Sequence, residues 1–154
     1  MLRAAVERWL QVAIEACSDV AFHVVASEGW TLTKLETQSI RLAVSAADGF
    51  EVDADTEEGL IEPGRWYLLS ARRTGGEVTV LVDGVPRASA ALEGASGWDL
   101  SNAESLLIGR RSGDGQDFFL DGTIDEVQLY AGTAVSDADL WLQWAVGAAG
   151  LCRP

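Results

Sequence analysis

The chain has 154 residues, 48% of them hydrophobic and 23% charged, enough for one domain that buries its core without disulfide or metal staples. A formal net charge of −13 argues against nucleic acid and against anionic membranes, both of which require clustered Lys and Arg. No apolar run has the length of a transmembrane span.

At the front, Leu2, Val6, Trp9, Leu10, Ala13, Ile14 and Cys17 recur at three-to-four spacing, with Arg3, Glu7, Arg8, Gln11 and Glu15 between them. That spacing predicts an amphipathic helix over residues 1–17. Charge interrupts it where a secretory signal keeps an unbroken apolar core, so no export signal is expected. The reading is of a cytoplasmic chain or of a module cut from a longer one.

A β region over residues 20–130 is predicted next. Val20–Ala26 is rich in β-formers, and Trp30–Leu35, Ser39–Val44 and Phe50–Ala54 alternate apolar and polar residues, with Asp48-Gly49 as a turn. Trp66–Arg73 and the run from Glu77 form a hairpin about Thr74, Gly75 and Gly76, with Val78, Val80 and Val82 on one face. Asp83-Gly84 supplies the next reversal. Val85–Leu92 is a strand with Pro86 near its start. Residues 93–102 form a Gly/Ser-bearing loop holding Trp98, and 111–117 form a polar, glycine-bearing loop. Ser105–Gly109, Phe118–Leu120 and Thr123–Tyr130 complete the strands. Strands every ~8–12 residues predict an antiparallel sandwich or barrel. A C-terminal helix over 136–148 starts at Ser136 with Asp139 three residues on, a capping-box variant. Its Leu140, Trp141, Trp144, Ala145 and Ala148 form an apolar stripe expected to pack on the sheet.

Three segments resemble the laminin-G-like, concanavalin-A-type jelly-roll family. GRWYLLSARRTGGEVTVLVDG is similar to its tryptophan strand, turn and "YVDG" strand, SLLIGRR to its short "L-x-I-G" strand, and DGTIDEVQLYAGTAVSDADL to its closing segment. The likeness covers about Ser27 to Gly147. It implies an antiparallel jelly-roll β-sandwich that recognises carbohydrate or protein without catalysis. The front departs from the family pattern, because helix 1–17 stands where strands are expected, including the partner of the last strand. The chain thus reads as N-terminally shortened, with an exposed sheet edge through which it would form a homodimer. A structural or oligomerisation module is the alternative function.

Among polar residues, Asp125 shares strand parity with Val127 and Leu129 and is expected to face inward. A buried carboxylate needs backbone N–H donors, a cation such as Arg110 or Arg111, or a metal ion. The resemblance implies Ca²⁺ near a rim, with Asp125, Asp121 and Asp117 as candidate ligands and Asp114 beside them. Glu51, Asp53 and Asp55 echo the E-x-D-x-E pattern of jelly-roll glycoside hydrolases, but the final glutamate is missing and an acidic turn follows, so no enzyme is expected. Sugar-stacking candidates are Trp98, Trp30 and Tyr67, each weighed against core packing; Trp66, Trp141 and Trp144 are assigned to packing. His23, the single histidine, supports neither a zinc site nor a catalytic triad. Cys17 and Cys152 read equally as a disulfide or as two free thiols.

Overall fold

The computed structural model describes residues 8–16, 23–26, 29–46, 49–92, 107–113, 116–131 and 135–147. Twelve strands are present among them: β1 (Arg8–Ala16), β2 (His23–Ala26), β3 (Trp30–Lys34), β4 (Ile40–Ser45), β5 (Glu51–Asp55), β6 (Trp66–Thr74), β7 (Glu77–Val82), β8 (Val85–Ala91), β9 (Leu107–Ile108), β10 (Arg110–Gly113), β11 (Gln116–Phe119) and β12 (Gly122–Ala131). One helix, α1 (Asp137–Gly147), follows. One five-stranded sheet has the order β12-β1-β6-β7-β8, a second has β5-β4-β3-β2-β9, and β10 and β11 form a separate ribbon. All pairings are antiparallel. The sandwich predicted over 20–130 is therefore present, but it draws in residues ahead of it.

The predicted helix over 1–17 is overturned: Arg8–Ala16 is a strand. Its sequence also carries a period of two, with Leu10, Val12, Ile14 and Ala16 alternating with Gln11, Ala13 and Glu15. Both periods fit the composition, and tertiary pairing decides between them. β1 lies between β6 and β12, with Leu10, Val12 and Ile14 opposite Ala71, Leu69 and Tyr67 on one side and Leu10 and Ile14 opposite Leu129 and Ile124 on the other. As a strand it satisfies backbone groups on two neighbours at once, which a helix laid over the sheet would leave open. The partner of the last strand is thus present in this chain, as β1, and β12 and β8 form the edges of the sheet. The loop predicted over 111–117 is likewise corrected to the β10–β11 ribbon, in which Arg110 stands opposite Phe119 and Gly113 opposite Gln116.

The core lies between the two sheets. Trp30, Leu32, Ile40, Leu42 and Val44 from one meet Tyr67, Leu69, Ala71, Val78, Val80 and Val82 from the other. Each fully buried Leu, Ile or Val contributes about 1.5–3 kcal/mol relative to exposure. The valine row of β7 is buried as its alternation predicts.

The outer face of the β6–β7 pair is buried as well. Leu68, Ser70, Thr79 and Leu81 have the opposite parity to the core residues, yet all are buried. Helix α1 is seated over them. Ser136 accepts a hydrogen bond from the Asp139 N–H at 3.2 Å and donates to its carboxylate at 2.6 Å, so the predicted cap forms. Arg72 pairs with Asp137 in the first turn, and Leu140 is 1% exposed. The Asp83-Gly84 turn joins β7 to β8 with φ of 55° and 74°, the two positive values a type I′ hairpin requires. A Cβ on Gly84 would stand 2.6 Å from the Trp141 Cα, so glycine lets the helix backbone rest on the turn.

Candidate functional site

The outer face of the second sheet is open, and it is polar. Alternation along β4 and β5 sends Leu42, Val44 and Ala54 into the core and leaves Ser45, Glu51, Asp53 and Asp55 exposed, with Arg41 and Ala43 half-buried. Register places Thr33, Arg41 and Asp55 in one row across three strands, with His23 the partner of Thr33 in β2, and Thr31, Ala43 and Asp53 in the next row.

Arg41 organises this face. Its Nε and Nη2 donate to the two carboxylate oxygens of Asp55, each at 2.7 Å, the bidentate geometry that fixes a guanidinium plane. Asp53, diagonal to Arg41 in the ladder, approaches its Nη1 at 3.3 Å. The hydrogen bond to Asp55, and after it the charges of Asp53 and Glu51, hold the guanidinium above its ordinary pKa despite partial burial. Three carboxylates against one cation leave the face acidic, with oriented donors and acceptors over small neighbours. Phe50, directly before β5, is 56% exposed next to this surface.

The glutamate–aspartate pattern does fall on one exposed side of β5, but β5 is an edge strand and this side faces away from the sandwich interior. Successive same-face residues are about 6.6–6.8 Å apart at Cα. Asp53 and Asp55 are both engaged by Arg41.

The sequence-predicted aromatics are distributed differently from expectation. Trp30 is 6% exposed and Tyr67 3% exposed, so both pack rather than offer a ring face to solvent. The Tyr67 hydroxyl accepts from the Glu62 N–H at 2.9 Å, and the Arg65 guanidinium lies 4.7 Å from its ring centroid. Trp98 lies outside the described residues. Trp66 and Trp141, both assigned to packing, are 41% and 54% exposed. Phe50 was counted only as a strand residue; its position directly after the Asp48-Gly49 turn is the signal that marks it as a rim aromatic.

The calcium expectation meets the backbone geometry as follows. Asp121 is exposed in the bend before β12, Asp125 is the β12 register partner of Ala13, and Asp117 stands opposite Ser112 in the ribbon; Asp114 lies outside the described residues. Among the described residues no three His, Cys, Asp or Glu side chains come together as a metal site. The side chains of Asp117 and Asp125 lie outside the described residues. Along β12, Val127 is exposed while Ile124 packs against the core. Cys17 and Cys152 also lie outside the described residues.

Two antiparallel sheets around one core, with a helix on one outer face and an open polar surface on the other, define a jelly-roll-type sandwich. The chain belongs to the concanavalin A-like lectin/glucanases superfamily: a laminin-G-type family model of that description matches residues 4–140. Among curated proteins, none matches the chain by sequence. Solved structures share the fold at low identity. The binding domain of botulinum neurotoxin serotype D superposes with a TM-score of 0.63 at 11% identity, over 90% of this chain and 35% of that one. The CBM40 of the Ruminococcus gnavus IT-sialidase, solved with α2,3-sialyllactose, gives 0.63 at 11% identity, over 88% and 81%. The heptameric SAP-like pentraxin of Limulus polyphemus gives 0.60 at 17% identity, over 96% and 72%. The chain spans about a third of the length of the neurotoxin domains it matches.

Proposed function

We propose that this chain is a non-catalytic recognition module that binds neutral carbohydrate on the open face of β3–β5. The observation that carries the reading is the Arg41–Asp55–Asp53 array, a rigid set of charged donors and acceptors on a shallow, small-residue surface bordered by the exposed Phe50. Sugar hydroxyls are both donors and acceptors, and fixed charged partners bind them more strongly than neutral ones. An aromatic ring at the border stacks on a pyranose face at little entropic cost. The excess of carboxylates disfavours an anionic sugar, because Glu51, Asp53 and Asp55 repel it with only Arg41 to compensate. The likeness to a sialyllactose-bound carbohydrate module and to toxin binding domains supports the binding class, and the local charge selects a different ligand within it. A hydrolase is disfavoured because the β5 carboxylates lie on an edge strand and are tied to Arg41.

A glycan array carrying neutral and sialylated oligosaccharides, followed by titration calorimetry on the hits, tests this. Neutral glycans are expected to bind, Arg41→Ala and Asp53→Asn to weaken binding by about tenfold or more, and Phe50→Ala to weaken it further. A Trp98→Ala arm asks whether the loop tryptophan contributes, and parallel titrations with added calcium and with chelator ask whether the rim ion implied by the family does. Binding unchanged in both Arg41→Ala and Asp53→Asn, or selective for sialylated glycans, overturns the assignment to this face.

A further inference from the structure

The exposed side of α1 carries one charged residue outside the Arg72 pair, Asp139, which the Ser136 cap holds at the first turn. With Leu140 turned into the molecule and Asp137 paired to Arg72, a 100° advance per residue brings Ala138, Trp141, Leu142, Ala145 and Val146 onto the outward side. All five are exposed, Trp141 and Leu142 by more than half. Val85, 42% exposed, adjoins through Gly84, on which the Trp141 backbone rests. Trp66 borders the same turn from β6, two residues before Leu68, whose N–H donates to Asp83 at 3.0 Å. Trp66, Val85, Trp141, Leu142 and Val146 are five of the nine large hydrophobic residues exposed among the described residues.

We propose that this surface is a self-association interface, α1 packing on α1 of a second copy about a two-fold axis. Charge selects this occupant. The chain carries 24 acidic residues against 11 Lys and Arg, and two copies meeting through the second-sheet face would set Glu51, Asp53 and Asp55 against the same groups. The α1 side carries one such carboxylate per copy, Asp139 at the N-terminal end of the helix, against three on the sheet face, so two copies meet here with less opposing charge, and an isologous contact uses one patch twice. Ala138 and Ala145, seven residues apart, allow close helix approach, while Trp141 and Leu142 are the residue sizes that anchor interfaces. Five large side chains about half exposed offer on the order of 450 Å² of apolar area per copy. That is somewhat over half of the ~800 Å² that a stable interface takes from each partner, so the remainder comes from the rim and the dimer is concentration-dependent.

Sedimentation equilibrium of the full chain over a concentration series tests this. The expected result is a rise from the 16.4 kDa monomer towards twice that mass, and tighter association on going from about 50 mM to about 500 mM NaCl, because salt screens the repulsion between two −13 chains. Leu142→Asp is expected to raise the dissociation constant at least ~30-fold, as loss of an interface anchor does. Phe119→Asp, at an exposed apolar residue on the β10–β11 ribbon, is expected to leave it unchanged. Both sites are exposed, so thermal melting of each variant within a few degrees of the parent verifies folding. A monomer at all concentrations, including one whose α1 side is covered by the chain's own ends, overturns the proposal. So does a dimer that Leu142→Asp leaves intact.

Discussion

The two sheets of this sandwich have opposite outer faces. The β6–β7 surface is buried beneath α1, and its outward positions are Leu68, Ser70, Thr79 and Leu81. The β3–β5 surface is open, and its outward positions are Thr31, Thr33, Arg41, Asp53 and Asp55, of which only Thr33 is fully buried. The inner faces are alike, both apolar and mostly aliphatic, with Trp30 in one and Tyr67 in the other. A strand's inward residues therefore report that a core exists, and its outward residues report whether anything lies on top. β4 alternates between buried and accessible positions, whereas five consecutive residues are buried in β6 and five in β7. The covered face supplies stability, and the open face is the one on which binding is proposed.

The largest effect that separates the two faces is expected at Leu140. Leu140→Ala removes the one fully buried α1 side chain and should cost about 2–5 kcal/mol, a melting-temperature loss on the order of 10 °C for a chain of this size. Ser45→Ala on the open sheet should fall within about 0.5 kcal/mol. Chemical denaturation of both variants measures the contrast. A Leu140→Ala cost below ~1 kcal/mol would mean that the helix is not a structural cover.

How far the sequence reveals this architecture depends on the segment. The hairpin Trp66–Gly84 is legible because Gly75-Gly76 and Asp83-Gly84 have few alternatives to a turn and Val78, Val80 and Val82 keep one parity. The Ser136–Asp139 cap is legible for the same reason, as a local hydrogen-bond pattern. β1 is not, because Leu10, Val12 and Ile14 satisfy a strand period while Leu10, Ala13 and Ile14 satisfy a helical one. The choice is made by β6 and β12, some 50 and 110 residues away in sequence. The site is less legible than the fold. The aromatics expected to stack on a sugar are Trp98, Trp30 and Tyr67, yet Trp30 and Tyr67 lie in the core, and exposed rings occur at Phe50, Trp66 and Trp141. Local pattern gives a residue's parity but not which neighbour covers it. The Arg41 array is a case in point: Arg41 and Asp55 are 14 residues apart, and only the β4–β5 register brings them together.

An intermediate effect is expected where the covered face meets its turn. Asp83 has a positive φ, its N–H donates to the Leu68 carbonyl at 2.8 Å, and its Oδ1 accepts from the Leu68 N–H at 3.0 Å. Burial pushes its carboxyl above the usual 3.8, against the opposing pull of the Leu68 N–H and of Arg65 and Arg87. A raised carboxylate pKa means that the folded state binds the proton more tightly than the unfolded one. Stability from this group is thus greatest at low pH and falls as pH rises from about 3.8 through the folded-state value, staying lower above it. Asp83→Asn keeps the acceptor and tolerates the left-handed backbone. It should equal the parent near pH 3 and be more stable at pH 7, as melting curves across pH will show. Asp83→Ala loses the acceptor for a half-buried N–H and adopts a strained φ, costing about 2–4 kcal/mol at either pH. An Asn variant less stable than the parent at pH 7 would place the larger contribution in the Arg65 ion pair, 3.2 Å from Asp83.

A small stability effect is expected on the open face even at the residue that matters most for the proposed binding. The Arg41 side chain is 40% exposed, and Asp53 and Asp55 are 34% and 41% exposed. Water and salt therefore screen both ion pairs, and even a bidentate surface pair is worth at most about 1 kcal/mol. Arg41→Ala should lower the melting temperature by no more than about 4 °C, and the difference from the parent should vanish in about 1 M NaCl, where charges are screened within a few ångströms. Leu140→Ala, whose cost comes from lost packing, should keep its full deficit in the same salt. Arg41 retained for folding would show the reverse: a large, salt-insensitive loss. A small, salt-sensitive loss in Arg41→Ala combined with weakened glycan binding separates the two faces by function, because the residue most needed for recognition would then be among the least needed for the fold.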